Sequence, residues 1–165
     1  MLKKIISGGQ TGVDRGALDA ALAAGFSCGG WCPQGKRAED GKIPDRYPLE
    51  ETRSAHYLDR THRNVEDSDG TLIIARVPLL GGTRATARFA EHIKKPSLVL
   101  DPDRHTVERL LETTLGWLSD HSIQTLNVAG PRASGDARIQ AVAEQLITRL
   151  IRRVTVETDA STERS

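Results

Sequence analysis

Ile5-Ile6-Ser7-Gly8-Gly9-Gln10-Thr11-Gly12-Val13-Asp14 decides the fold class of this chain. A short apolar run breaks into glycines. Val13, Ala17, Ala20, Ala21 and Ala24 then recur at helical spacing until Gly25 stops them. The stretch reads as strand, tight turn and helix. A glycine turn of this kind lets the main chain approach a ligand closely, and the helix start adds unpaired N–H donors and partial positive charge. Gly81-Gly82-Thr83 and Gly130-Pro131-Arg132-Ala133-Ser134-Gly135 repeat the theme further along. Three such turns in one small chain point to a compact anion pocket.

Outward from that stretch, strands and helices alternate. Lys3 to Ser7 reads as a buried strand and Phe26 to Trp31 as a second. The segment from Cys32 to Glu51 carries Pro33, Pro44 and Pro48 with Gly35 and Gly41, and reads as a long ordered loop or lid. A helix is predicted from about Ser54 to Asp67, with Tyr57, Leu58, Thr61 and Val65 on one face and Arg60, His62, Arg63 and Glu66 mostly solvated. Thr71 to Ala75 is a continuous apolar strand of the kind covered on both faces. A helix whose inner face is Thr86, Phe89, Ala90 and Ile93 follows and ends before Pro96. Ser97 to Leu100 is a short strand, Val107 to Leu118 a helix, and Thr125 to Ala129 the last strand. Ile139, Val142, Ala143, Leu146, Ile147 and Leu150 keep strict helical spacing. From Val154 the chain is polar and expected to fray.

This alternation implies an α/β fold, with a mainly parallel sheet and helices on both faces joined by right-handed crossovers. Residues 1–153 are expected to form a single ligand-binding domain and 154–165 a polar tail. Ligands of such sheets sit beyond the carboxyl ends of the strands, where all three glycine turns fall. The common nucleotide signatures are absent: Gly8 to Arg15 lacks the Lys and Ser or Thr of a Walker loop, and no Gly-x-Gly-x-x-Gly opens the first helix. That pattern disfavours an ATPase or a standard dehydrogenase.

Composition narrows the class further. The 165 residues give room for one ordinary domain, with 38% hydrophobic and 27% charged residues able to build a real core. Aromatics make up 4%, so aliphatic and alanine packing must dominate. Lys and Arg number 23 against 22 for Asp and Glu, which leaves no basic field for nucleic acid. No apolar run approaches the roughly 20 residues that cross a bilayer, and no signal segment opens the chain; a cytoplasmic location is expected. Cys28 and Cys32 fit neither a redox pair nor half of a usual zinc site. His56, His62, His92, His105 and His121 show no ligand spacing, so no metal site is expected on protein side chains.

The motifs together carry a resemblance. Gly8 to Arg15, Gly29-Gly30-Trp31-Cys32-Pro33, Arg37-Ala38-Glu39-Asp40-Gly41, Asn64-Val65, Ser68-Asp69-Gly70-Thr71, Gly81-Gly82-Thr83 and Asn127 to Arg132 resemble the molybdenum carrier family, up to about Leu150. That family in turn resembles the Rossmann-like nucleotide-binding group that includes lysine decarboxylase-like phosphoribohydrolases. The resemblance implies a Rossmann-like three-layer fold. It also implies a homo-oligomer that binds and protects the molybdenum cofactor (molybdopterin, a phosphorylated pterin with a dithiolene-held metal) and delivers it to apo-molybdoenzymes.

The residues fit such a small phosphate-bearing ligand. Gly81, Gly82 and Thr83 at a helix start could form the phosphate nest, with Arg132 and Arg84 as cations. Ser7, Gly8, Gly9, Gln10 and Thr11 offer a second donor set, suited to molybdate oxygens or a pterin edge. The competing reading is that these glycines merely permit a tight turn. Trp31 either stacks on a planar heterocycle or plugs the core, and Asp14 either orients a ligand amine or favours its helix start. Lys36, Arg37, Glu39 and Asp40 read as a closing lid or as a solvated loop. Asn64 and Asp69 either brace the pocket or serve caps and turns.

An enzymatic alternative acts on a nucleoside monophosphate. The phosphoribohydrolases resemble Pro-Gly-Gly-x-Gly-Thr-x-x-Glu, whereas this chain reads Leu79-Leu80-Gly81-Gly82-Thr83-Arg84-Ala85-Thr86. Thr86 stands where that motif has its glutamate, and a threonine cannot replace a carboxylate as acid or base. Asp14 or Glu39 could serve instead, though nothing in the spacing says so. Noncatalytic cofactor binding is the favoured expectation, and a nucleotide-binding protein the alternative.

Overall fold

The computed structural model describes the backbone of residues 1–162 and the side chains of residues 1–156. Its centre is a five-stranded, wholly parallel sheet of β1 (Lys4–Ile6), β2 (Cys28–Gly29), β7 (Gly70–Ile74), β8 (Ser97–Leu100) and β9 (Thr125–Ala129), in the order β2-β1-β9-β7-β8. Every residue of β7 is buried, as its unbroken apolar run requires of a strand covered on both sides. The helices are α1 (Val13–Ala23), α2 (Tyr57–Glu66), α3 (Gly81–His92), α4 (Val107–Asp120) and α5 (Ile139–Thr162).

Connections that step toward β2 carry α1 and α4, and those that step toward β8 carry α2 and α3. Right-handed crossovers in opposite directions must lie on opposite faces of the sheet. Accordingly α1 and α4 both pack on α5, while α2 packs on α3. The expected three-layer, Rossmann-like α/β fold is therefore present. The direction in which the connections wind reverses around β9, which lies between β1 with its exit to one side and β7 with its exit to the other. The turns after β1, β7 and β9 consequently meet at one end of the sheet. At that meeting a Cβ on Gly12 would lie 2.3 Å from the Pro131 carbonyl oxygen, and the Val13 N–H donates to that same oxygen at 3.2 Å.

Three expectations change in detail. The strand expected over Phe26 to Trp31 is broken at Gly30, whose φ of 127° and whose Cβ position 2.2 Å from the Ser7 carbonyl oxygen exclude other residues. Beyond it, β3 (Trp31–Cys32) leaves the main sheet and pairs with β6 (Glu50–Glu51). The segment expected as a loop or lid folds instead, with a hairpin of β4 (Arg37–Ala38) and β5 (Gly41–Lys42). Cys32, Ala38, Ile43 and Tyr47 bury against Leu18 of α1 as a second small core. Burial, reinforced by the nearby Asp19, pushes the Tyr47 phenol up to about 12. Finally, α5 continues to Thr162 where fraying from Val154 was expected, because Ile147, Leu150, Ile151 and Val154 keep one apolar stripe buried. The rest of the expected tail, residues 163–165, lies outside the described residues. Among the described residues no helix is long and apolar enough to cross a membrane.

Gly30→Ala should lower the unfolding free energy by about 1–3 kcal/mol from backbone strain alone, with the Ser7 clash adding to it. Guanidinium denaturation measures this, and an unchanged midpoint would refute the assigned role of Gly30.

Candidate functional site

A cavity of about 720 Å³ opens at the carboxyl ends of β1, β7 and β9. Each converging turn supplies a wall: Gly8 and Gln10 from the first, Arg76 to Thr83 from the second, Asn127 to Arg132 from the third. The α2 helix closes a further side with Tyr57, Arg60, Thr61 and Asn64, which at i, i+3, i+4 and i+7 form one stripe. Of the residues proposed from sequence, Gly8, Gln10, Gly81, Gly82, Thr83 and Arg132 line this cavity, whereas Gly9, Thr11 and Trp31 do not.

The β1–α1 turn spends most of its donors internally. The Ser7 N–H and hydroxyl bond the carbonyls of Gly29 and Val128. The N–H groups of Gln10, Thr11 and Gly12 reach Asp14 Oδ2 at 3.1 Å, Gln10 Oε1 at 3.1 Å and Gln140 Oε1 at 3.4 Å. The turn acts largely as a brace, with the Ser7, Gln10, Thr11 and Gly12 donors of the expected nest taken by protein partners. Gln10 Oε1 also accepts the Glu39 N–H at 2.9 Å, which fixes the side-chain amide. Its Nε2 is left buried with no partner among the described residues. The Thr11 hydroxyl joins the same brace, donating to Glu39 and accepting the Ala133 N–H at 3.2 Å.

The β7–α3 turn is different. The Leu80 N-cap lends no side-chain bond, and the first turn of α3 holds no acidic residue. The Arg84 N–H, bonded to the Leu80 carbonyl at 3.1 Å, begins the helical ladder. The N–H groups of Gly81, Gly82 and Thr83 precede it, as the orphan donors of any helix start do, and here they stand in the cavity wall.

Charge on the walls is largely compensated. Arg60, on the face expected to be solvated, lies over Gly8 so closely that a Cβ there would be 1.5 Å from its Nη1. It pairs with Asp14 at 3.0 Å, with the two side chains only 13% and 7% exposed, while its Nε has no partner among the described residues. Asp14, left open in the sequence between a ligand role and a helix-start role, thus holds Arg60 and the Gln10 N–H. Arg76 is held by Asp103 and Asp136. Arg132 forms no ion pair among the described residues and rests 4.7 Å from the Tyr57 ring centre. Trp31 meets Arg63 over its ring at 4.9 Å, and its Nε1 donates to Asp67 at 2.7 Å. Asn64 clamps the Trp31 backbone through both its N–H, at 2.8 Å, and its carbonyl, at 2.9 Å. Sequence reasoning missed Tyr57, Arg60 and Arg76 as wall residues; the polar stripe of α2 was the available signal for the first two.

Among the described residues no group of three or more His, Cys, Asp or Glu side chains could hold a metal. Cys32 is buried and Cys28 half-buried, and burial pushes both thiols up.

A parallel sheet with a cavity of this size at its reversal point, walled by glycine turns and a helix start, has the architecture of a Rossmann-like α/β protein. The chain belongs to the circularly permutated YpsA SLOG family, whose model it matches over residues 5–151. It is similar to the crystal structure of a "putative molybdenum carrier protein" from Syntrophus aciditrophicus SB, with 46% identity over 90% of this chain and 94% of that one and a TM-score of 0.88. No curated protein matches it.

Two carboxylates tie down the hairpin tip, Glu39 to the cavity rim and Asp40 to α1. Glu39 accepts the Ser134 hydroxyl, the Thr11 hydroxyl and, at 3.1 Å, the Ser134 N–H. Asp40 takes Arg15 in a two-pronged pair at 2.5 and 2.8 Å. Ser134 and Thr11 hold Glu39, and Arg15 holds Asp40, below the usual carboxylate range. Because both values are depressed on folding, their stabilisation is present above the unfolded values and lost as pH falls through the folded ones. Amide protection factors at β4–β5 should therefore fall selectively on acidification through that window, and Glu39→Gln with Asp40→Asn should abolish that pH dependence of protection. Equal pH dependence in that double variant would refute the clasp.

Proposed function

We propose that the cavity binds the molybdenum cofactor noncatalytically and that the protein carries it. The observation that carries this reading is the open start of α3, whose Gly81, Gly82 and Thr83 line the cavity with no acidic residue in that turn. A phosphomonoester suits such a start. Arg132, free of any ion pair among the described residues, supplies the adjacent positive charge in the same wall. Leu58, Val77, Pro78 and Leu79 add apolar surface for a flat organic body, and the unpartnered Gln10 Nε2 and Arg60 Nε belong to the same walls. The volume falls within the roughly 300–1,000 Å³ of small-molecule sites. The name of the 46% identical neighbour supports the choice of molybdenum cofactor over other phosphorylated rings.

Hydrolysis of a nucleoside monophosphate finds less support. Thr86 spends its hydroxyl on the Gly82 carbonyl at 2.9 Å, and the carboxylates of the wall, Asp14 and Asp136, are bound to arginines. A base held in an ion pair is poorly placed to accept a proton. The carrier reading extends to a homo-oligomer in the cytoplasm that hands its cargo to apo-molybdoenzymes.

Anaerobic equilibrium titration with molybdenum cofactor, with AMP and molybdate in parallel and AMP assayed for released adenine, tests the proposal. Tight cofactor binding without turnover is expected, and Arg132→Ala should weaken it by about 1.5–3 kcal/mol, the scale of a charged hydrogen bond. Preference for AMP with adenine released would overturn it.

A further inference from the structure

Tyr57 opens α2 and stands in the cavity wall. Three guanidinium groups lie over its ring, Arg132 at 4.7 Å, Arg37 at 5.8 Å and Arg60 at 5.9 Å from the centroid. A ring has two faces, so at least two of these cations share one. The ring quadrupole attracts each of them but does not cancel their mutual repulsion. Carboxylates compensate only part of it. Asp14 pairs with Arg60, whereas Arg37 and Arg132 form no ion pair among the described residues. Glu39 feels the charge of Arg132 but is committed to Thr11 and Ser134. Two further observations point the same way. Arg60 Nε and the Nε2 of Gln10, a residue only 4% exposed, are buried donors without partners, and both side chains belong to the same cavity.

We infer that Arg37, Arg60 and Arg132 around Tyr57 form an oxyanion subsite of this cavity, completed by an arginine from the β4–β5 hairpin. The inference rests on the reading of this cavity as a ligand site and deepens it. The occupant is a tetrahedral oxyanion of charge near −2, either a free ion of the phosphate or molybdate type or the phosphate of an ester. Such a group accepts from several guanidiniums at once and relieves their repulsion, which no neutral ligand does. Arg37 determines specificity here: it is not part of the cavity wall itself, and it reaches the Tyr57 ring only because the hairpin folds against the rim.

The test is calorimetric titration of inorganic phosphate, molybdate, AMP and adenosine at fixed ionic strength. The proteins are wild type, Arg37→Gln and Arg37→Lys. Arg37 is exposed, so the thermal midpoint of both variants should match wild type. We expect Arg37→Gln to weaken oxyanion binding about tenfold, the loss of one charge-assisted contact, and Arg37→Lys to recover part of it. Binding of the free ions identifies the occupant as a free oxyanion; binding of AMP but neither adenosine nor the free ions identifies it as an ester phosphate. No oxyanion binding by wild type, or equal affinity in Arg37→Gln, would overturn the subsite. Molybdenum cofactor is titrated alongside. Oxyanion binding that depends on Arg37, without cofactor binding, defeats the carrier reading and leaves the subsite. Cofactor binding with no effect of Arg37 on any oxyanion does the reverse.

Discussion

The contact between the β1–α1 and β9–α5 turns is the constraint on which the site depends. Main chain meets main chain there, Val13 N–H on the Pro131 carbonyl, with room for no side-chain carbon at Gly12. That approach holds α1 and α5 side by side and brings Asn127 to Arg132 beside Gly8 and Gln10. The sheet order then decides what the contact encloses. With β9 between β1 and β7, the third turn reaches the same end of the sheet, and α2 is carried across to close it. The cavity is thus a product of topology before it is a product of side chains.

Within that frame the three glycine turns have separate tasks. The first spends the N–H groups of Ser7, Gln10, Thr11 and Gly12 on protein partners and is tied to Glu39, so it behaves chiefly as scaffold. The second puts the start of α3, with its orphan N–H groups, in the cavity wall. The third contributes Arg132, anchors the hairpin through Ser134 and bonds the Thr11 hydroxyl through the Ala133 N–H. Glycines in the same local pattern therefore differ in role according to what their N–H groups find after folding, which local sequence does not encode.

This difference marks how far the sequence could be read. The strands at Ile5, Ile73 and Leu126 and the helix through Leu146 were legible because each carries a strong period or a continuous apolar run. So was the convergence of the turns. The break at Gly30 was not, because it depends on the Ser7 backbone of another strand lying 2.2 Å from the missing Cβ. The folding of residues 32–51 escaped as well: Ile43 and Tyr47 find their partner in Leu18, far away along the chain. Trp31 and Arg60 show the same limit in the site. A tryptophan next to a glycine pair was open between stacking on a ligand and plugging the core, yet Arg63 of α2 and Asp67 just after it occupy it. An arginine on a polar helix face looked solvated, yet Asp14 and the bare backbone at Gly8 draw it inward.

The two cysteines carry a consequence for sulfur chemistry. With Cys32 sealed in the small core and both thiols pushed upward by burial, each stays protonated near neutral pH. A protonated, buried thiol is a poor ligand for a soft metal and a slow partner in disulfide exchange. A metal complex with its own sulfur ligands would therefore meet no competing thiolate from this protein.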